Sequence, residues 1–176
     1  MIMWSYCKTG KYLNRSGFTL IEAVLSTIIV GAMLVAALNT VGASRLSQYK
    51  TSQRSRGQLL AQMLIAEILQ QSYGDPDSGQ DSFGLEIDET GDGSRSLWDD
   101  VDDYDGWSES PPKYKDGTEM SDLQSWQRSV QVKWIDPVDL SSTVDTNQGI
   151  KRITVTIKFG NIEVASLTGI RTAWGL

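Results

Sequence analysis

The stretch "RSGFTLIEAVLSTIIV", residues 15–30, decides how this chain is organised, because it opens a long apolar run that contains one acid. The run covers residues 18–38, and Glu22 is its single charged residue. A helix of that length spans about 31 Å, which matches the roughly 30 Å hydrocarbon core of a bilayer. We therefore predict a membrane-spanning helix. A charge at the centre of a bilayer costs roughly 3 kcal/mol, so Glu22 is predicted to have a function.

The helix is predicted to continue beyond the apolar run, because no proline interrupts the sequence before Pro76. We predict one helix over residues 18–71, with Gly31, Gly42 and Gly57 as candidate points of bending or unwinding. From residue 58 onward the pattern becomes amphipathic, with one face to bury. That face is predicted to contain Leu60, Met63, Leu64 and Ile68, widened by Ile65 and Leu69.

The apolar run near the N-terminus could be processed in three ways. The first is a cleaved secretory signal, with small residues before a cut after Ala43, although such apolar regions usually have only about 7–15 residues. The second is an uncleaved signal anchor. Charge does not fix the orientation, because basic residues flank both ends of the run. The third fate depends on a resemblance to a known family.

The stretch "KYLNRSGFTLIEAVLSTIIVGAMLVAAL", residues 11–38, closely resembles the N-terminus of type IV prepilins and type II secretion pseudopilins. The family pattern is a short basic leader, a glycine, and then Phe-Thr-Leu-Ile-Glu at the start of a hydrophobic helix. Here the leader contains Lys8, Lys11 and Arg15, and Gly17 is followed by Phe18. The resemblance implies that prepilin peptidase cuts between Gly17 and Phe18 and methylates the new amino group of Phe18. It covers residues 1 to about 45.

The resemblance also implies a role for Glu22 in assembly. Cleavage would create a positive α-amine on Phe18, and the Glu22 carboxylate lies about one helical turn away, near the helix N-terminus. In the family, this carboxylate neutralises the amine of a neighbouring pilin or pseudopilin subunit, which also sets the stagger between subunits. The alternative is a glutamate whose side chain reaches the lipid headgroups.

The cut would also remove Cys7, the only cysteine of the chain, and leave a mature protein without cysteine. Such a protein suits an oxidising compartment without needing a disulfide. The resemblance implies a single-pass inner-membrane protein with its C-terminal domain in the periplasm, which becomes part of a filament after assembly.

Residue patterns typical of β-strands occur in the C-terminal region. In "WQRSVQVKWI" the alternation places Trp126, Val130, Val132 and Trp134 on one face, and "KRITVTIKF" does the same for Ile153, Val155, Ile157 and Phe159. Gly160-Asn161 matches a two-residue hairpin turn, after which "IEVASLTGIRT" returns. Three antiparallel strands with one apolar face need a cover, and residues 59–69 are available. The sequence therefore predicts an α+β fold, a long helix packed on a small antiparallel sheet, which pilin-like proteins also have.

An acidic loop precedes these strands. Asp99, Asp100, Asp102, Asp103 and Asp105 repel one another unless they are solvated or bound to a cation. "DYDG" resembles half of an EF-hand loop, which makes Asp103 and Asp105 candidate calcium ligands, but Val101 and Pro112 occupy the first and twelfth loop positions. Both interpretations, a calcium site and a solvated acidic loop, remain open; no other cofactor is predicted.

The composition argues against two classes of function, nucleic-acid binding and catalysis. Between Asp75 and Asp122 sixteen acids stand against three basic residues, which argues against nucleic acid as a partner. With no histidine, and no cysteine after processing, neither a Ser-His nor a Cys-His nucleophile can be built, and we expect no enzymatic activity. The aromatic residues near the acidic loop fit either a sugar-binding or partner-binding surface or, more often, a core; they are Trp98, Tyr104, Trp107 and Tyr114.

Together these features predict a minor pilin or pseudopilin, a structural subunit of a type IV pilus or a type II secretion pseudopilus. The acidic-aromatic segment also resembles a stretch of MSHA-type minor pilins. The alternative is a single-span membrane-anchored periplasmic binding or adhesin domain. The predicted organisation is a leader at 1–17, a transmembrane helix half at 18–41, an amphipathic half at 42–71, an acidic turn-rich region at 72–125 and a sheet region at 126–176.

Overall fold

The computed structural model describes residues 17–76, 83–86, 89–90 and 94–174. Of the predicted leader only Gly17 is among them; its basic residues and Cys7 lie outside the described residues. The chain divides into two compact units, Met1–Ser47 and Gln48–Leu176. Helix α1, Leu20–Leu69, contributes its N-terminal part to the first unit and its C-terminal part to the second.

Helix α1 begins at Leu20 because Thr19 caps it. The backbone N–H of Glu22 donates to Thr19 Oγ1 at 3.3 Å, and the N–H of Ala23 donates to the Thr19 carbonyl at 3.1 Å. These bonds satisfy two N–H groups at the open end of the helix. The predicted helix over residues 18–71 is confirmed, shorter by two residues at each end. The chain stays helical at Gly31, Gly42 and Gly57, so the predicted unwinding does not occur there.

Four antiparallel strands form one sheet in the order β1-β2-β3-β4. They are β1 Ser108–Glu109, β2 Trp126–Trp134, β3 Ile150–Phe159 and β4 Ile162–Thr172. The three predicted strands are confirmed as β2, β3 and β4, and β1 is an addition. Phe159 pairs with Ile162, which leaves Gly160 and Asn161 as the predicted two-residue turn, with a φ of 59° at Gly160. The positive φ explains why glycine stands there.

The core of the second unit lies between the C-terminal part of α1 and one face of the sheet, as predicted for an α+β fold. Leu60, Leu64 and Ile68 of the helix are buried against side chains that alternate along the strands, such as Val130, Val132, Ile153, Val155 and Ile157. The prediction was wrong for Met63, which is 50% exposed. Ala61 is fully buried instead, because the contact with the sheet is close and suits a small side chain.

Helix and sheet approach each other closely at Gly57. A Cβ atom at this position would lie 2.7 Å from Val164 Cγ2 and 3.3 Å from Ala165 Cβ, both on β4. Real side chains do not approach this closely, so the absence of a side chain at Gly57 is a packing requirement rather than a weakness of the helix.

Candidate functional site

The first candidate site is the N-terminal part of α1. Every described residue of the first unit is exposed, including Phe18 at 79%, Leu20 at 88% and Met33 at 66%. The most apolar 18-residue window of α1 has a mean hydropathy of 2.3, and none of it is buried. In the described part of the chain, α1 is the single helix long and apolar enough to cross a membrane. An apolar surface on all sides of a helix requires lipid or other apolar helices around it.

The hydroxyl groups within this apolar surface are satisfied inside the helix. Ser26 Oγ donates to the Glu22 carbonyl at 2.7 Å, Thr27 Oγ1 to the Val24 carbonyl at 2.8 Å, and Thr40 Oγ1 to the Ala36 carbonyl at 2.9 Å. A hydroxyl that bonds a carbonyl of the preceding turn needs no water. These three residues therefore do not oppose burial of the helix in an apolar environment.

The predicted cut-site and assembly residues lie together at the start of α1. Gly17 and Phe18 precede the helix, and both are exposed. Glu22 lies in the first turn, three residues after the cap Thr19. The cap at Thr19 was not predicted from the sequence, although Thr-x-x-Glu before an apolar run is a capping-box pattern. Glu22 is thus in the turn nearest to Phe18, where the partial positive charge of the helix end favours a carboxylate.

The second candidate site is the acidic loop of the second unit. Asp100, Asp102 and Asp103 are only 2%, 1% and 1% exposed, so the interpretation as a solvated loop is wrong for them. Asp100 Oδ1 accepts the N–H groups of Asp102 and Asp103 at 2.7 and 3.2 Å. Asp103 Oδ2 accepts those of Asp99 and Asp100, both at 3.0 Å. These side chains can be buried because backbone N–H groups, instead of water, donate hydrogen bonds to their carboxylates.

Lys151 supplies a buried positive charge to this loop. Its ammonium, on β3, is fully buried, forms an ion pair with Asp102 and also donates to the carbonyl of Tyr73. It lies 4.5 Å from the centre of the Tyr73 ring. Lys151 was not predicted from the sequence, although its spacing places it on the same buried face of β3 as Ile153 and Val155. A lysine at such a position signals a buried partner of opposite charge.

A second buried network contains two arginines and two glutamates. Arg95 Nε lies 2.9 Å from Glu67 Oε1 on α1, and Arg95 Nη1 lies 3.2 Å from Glu109 Oε2 on β1. Arg128, opposite Glu109 in the sheet, forms an ion pair with it. The hydroxyl of Tyr104 donates to Glu67 Oε1 at 3.0 Å. Burial raises the pKa of Tyr104 above its ordinary value, with the Glu67 charge adding to the effect.

The aromatic residues of this region form a cluster rather than a binding surface. Trp98 and Tyr104 are buried, with ring centres 4.7 Å apart in an edge-to-face arrangement, and Trp107 lies 5.9 Å from Trp98. The guanidinium of Arg95 lies 4.5 Å from the centre of the Trp107 ring. Only Tyr114 of the four predicted aromatic residues is largely exposed, at 49%. The core interpretation is therefore confirmed for Trp98 and Tyr104.

Asp103 and Asp105, the two calcium ligands predicted from the sequence, contact different groups. Asp105 Oδ1 accepts the backbone N–H of Val132 at 2.7 Å, and Asp105 Oδ2 lies 3.9 Å from Lys133 Nζ. Asp103 instead joins Glu86 and Glu89, with one oxygen from each carboxylate within 4.8 Å of the others. The glutamates come from a segment well before the loop, so no local spacing could have indicated this group, which we call the acidic triad.

The ionisation of the half-buried Glu86 and Glu89 and of the buried Asp100 is shifted towards the neutral form. Burial raises the pKa of Glu86 to about 7 and that of Glu89 to about 7, with hydrogen bonds and charges among the acids contributing. Burial and the charges of Asp102 and Asp103 raise the pKa of Asp100 to about 8. Carboxylates held close together inside a protein behave in this way, because each charge is poorly solvated and repels the next.

The two candidate sites offer different chemistry. The first is an apolar helix surface for lipid or other helices, and the second supplies oxygen ligands suited to a hard cation.

Comparisons with models of known protein families, with curated proteins and with solved structures give no significant match to this chain.

Proposed function

We propose that this chain is a minor pilin or pseudopilin, a structural subunit of a type IV pilus or a type II secretion pseudopilus. Prepilin peptidase would cut it between Gly17 and Phe18 and methylate Phe18, and the N-terminal part of α1 would then pack among other subunits. The observation that carries the proposal is the fully exposed apolar surface of that helix part, which begins directly after Gly17-Phe18. The N-terminal sequence pattern of the family supports it.

The position of Glu22 supports a charge-pairing mechanism of assembly. After the cut, the α-amine of Phe18 and the carboxylate of Glu22 would lie within about one turn at the helix start. A lone charge of either sign is costly in an apolar bundle, whereas a pair is less so. An incoming subunit would place its amine against the Glu22 carboxylate of its neighbour. Helix packing would supply the attraction and this pair would set the register.

The single candidate membrane span near the N-terminus supports a single-pass membrane protein. In the proposal this membrane is the inner membrane, the Gln48–Leu176 unit faces the periplasm, and the filament forms after processing. The alternative, a membrane-anchored binding or adhesin domain, loses part of its basis because Trp98 and Tyr104 are buried. Tyr114 is the one residue of that aromatic set that remains largely exposed.

The experiment that tests the proposal follows the full chain into filaments. The chain is expressed in cells with a working pilus or pseudopilus system, filaments are sheared off and purified, and the chain is detected by mass spectrometry. We expect it in both the filament and the membrane fractions. A Gly17→Val variant, with a changed cut site and an unchanged apolar run, is expected to stay in the membrane. An unmodified chain confined to the membrane while filaments form normally would favour the anchored domain.

A further inference from the structure

The acidic triad of Glu86, Glu89 and Asp103 has features that its internal contacts do not explain. Asp103 is 1% exposed, and its Oδ2 atom accepts two backbone N–H groups. Its second oxygen, Oδ1, is buried and accepts no hydrogen bond from the residues that the structure describes. The same is true of Glu86 Oε1. Carboxylate oxygens without donors are rare inside proteins, because each costs its full desolvation energy.

The nearby basic side chains do not balance these acids. Lys151 pairs with Asp102, and Arg95 and Arg128 pair with Glu67 and Glu109. Among the described residues no lysine or arginine forms an ion pair with Glu86, Glu89 or Asp103. Three acids therefore face one another without a basic partner, which is the arrangement that a multivalent cation stabilises.

The geometry fits a calcium ion. At 2.3–2.6 Å from one ion, two oxygen ligands lie at most about 5 Å apart. The three carboxylate oxygens lie within 4.8 Å of one another. Magnesium requires a regular octahedron at about 2.0–2.1 Å and gives up its water reluctantly, so an irregular group of loop carboxylates suits it less.

We propose that Glu86, Glu89 and Asp103 bind one divalent cation of the calcium type. The site differs from the sequence-predicted pair Asp103 and Asp105, and it does not depend on the proposed filament role. Asp103 anchors it, because two backbone N–H groups hold its carboxylate in place. The two glutamates add charge from a segment that the fold brings next to the acidic loop.

The cation would join the described residues 83–86 and 89–90 more firmly to the rest of the second unit. Contacts that already join them include the N–H of Gly84, which donates to Asp102 Oδ2 at 3.1 Å, and the Phe83 ring, which lies edge-on to Trp134 with the ring centres 4.7 Å apart. Glu86 itself contributes an N–H bond to Glu89 Oε2 at 3.2 Å. Ligands from both sides would add a cross-link at the point where the segment meets the loop.

The test is a calcium titration of the purified full chain in detergent after removal of metals with EDTA. Calorimetry is expected to show one calcium ion per chain, and thermal melting is expected to show a higher Tm as calcium rises. Glu86→Gln and Glu89→Gln should each weaken binding by at least about tenfold, because each removes a charged ligand. Glu163→Gln, at an exposed position on β4, and Asp105→Asn should leave the affinity unchanged.

The same variants separate binding from damage to the fold. In EDTA at about pH 8.5, above the pKa of about 7 of both glutamates, Glu86→Gln and Glu89→Gln should melt at or above the Tm of the unmodified chain, because each then removes one of three like charges. The proposal is overturned if calcium on the order of 10 mM, above the usual range of weak extracellular sites, gives neither heat nor a Tm shift. It is equally overturned if calcium binds but neither glutamine variant weakens it.

Discussion

The ammonium of Lys151 on β3 and the carboxylate of Asp102 in the acidic loop form an enclosed ion pair, with the two residues 0% and 1% exposed. The pair links the start of β3, an inner strand of the sheet, to a loop 49 positions earlier in the chain. A buried pair of this kind adds little net stability, but loss of one partner leaves a charge in the interior. The acidic loop is thus part of the core of the second unit rather than an appendage to it.

Replacement of Lys151 by methionine tests this relationship. Lys151→Met should destabilise the Gln48–Leu176 unit by about 3–5 kcal/mol, because Asp102 is left buried and unpaired. Lys158→Met, a half-buried position on the same strand, should change stability by less than about 0.5 kcal/mol. Denaturant unfolding followed by tryptophan fluorescence measures both. A loss at Lys151 no larger than that at Lys158 would contradict the buried pair.

Gly57 provides a packing prediction. Gly57→Leu should destabilise the chain by about 1–3 kcal/mol, because the new side chain would meet Val164 and Ala165. Ala66→Leu introduces the same residue at an exposed position of α1 and should be within about 0.5 kcal/mol of the unmodified chain. Thermal melting compares the two variants. Equal melting temperatures would mean that helix and sheet are not in contact at Gly57.

The raised pKa of Asp100 predicts a pH dependence of stability in the absence of metal. Its pKa rises from 3.8 to about 8 on folding, and those of Glu86 and Glu89 rise to about 7. The folded state therefore holds protons that the unfolded state releases above about pH 4, so stability falls as pH rises from there to about 8. In EDTA we expect a higher Tm at about pH 5.5 than at about pH 8.5, and a smaller difference in Asp100→Asn. A Tm that is level or rises with pH over this window would show that these acids are not held neutral.

Two roles are possible for Glu22, charge pairing in assembly and helix capping, and one pair of variants separates them. Glu22→Gln keeps a residue that fits a capping box but removes the charge, whereas Thr19→Ala removes the cap and keeps the charge. If Glu22 pairs with an amine, Glu22→Gln should be cleaved normally but enter filaments poorly, and Thr19→Ala should still be incorporated. The measurement is the ratio of filament to membrane chain by immunoblot. Normal incorporation of Glu22→Gln would assign Glu22 to helix capping alone.

The sequence predicted those parts of the fold that a regular spacing of apolar residues or a turn motif specifies. The alternation of Trp126, Val130 and Val132, the turn at Gly160-Asn161, and the helix cover from Leu60 to Ile68 all appear in the structure. β1 was missed because a two-residue strand has no period to detect. The burial of Met63 was predicted wrongly and that of Ala61 was not predicted, because hydrophobicity does not reveal how closely the sheet approaches each turn of the helix.

The candidate sites were predictable only in part. The N-terminal motif is contiguous, so Gly17, Phe18 and Glu22 could be named as candidates from the sequence, and their roles stay predictions. The acidic loop was recognised, but its burial was not, because that depends on Lys151 arriving from a distant strand. The acidic triad joins Asp103 to Glu86 and Glu89, and only the folded chain brings these acids together.

Processing at Gly17-Phe18 is tested most directly by the intact mass and N-terminal sequence of the membrane-extracted chain after co-expression with a prepilin peptidase. We expect a chain that begins at Phe18 and carries a methyl group on its α-amine. A chain that still begins at Met1 would contradict processing at Gly17-Phe18, and one that begins at Ser44 would identify the apolar run as an ordinary cleaved secretory signal.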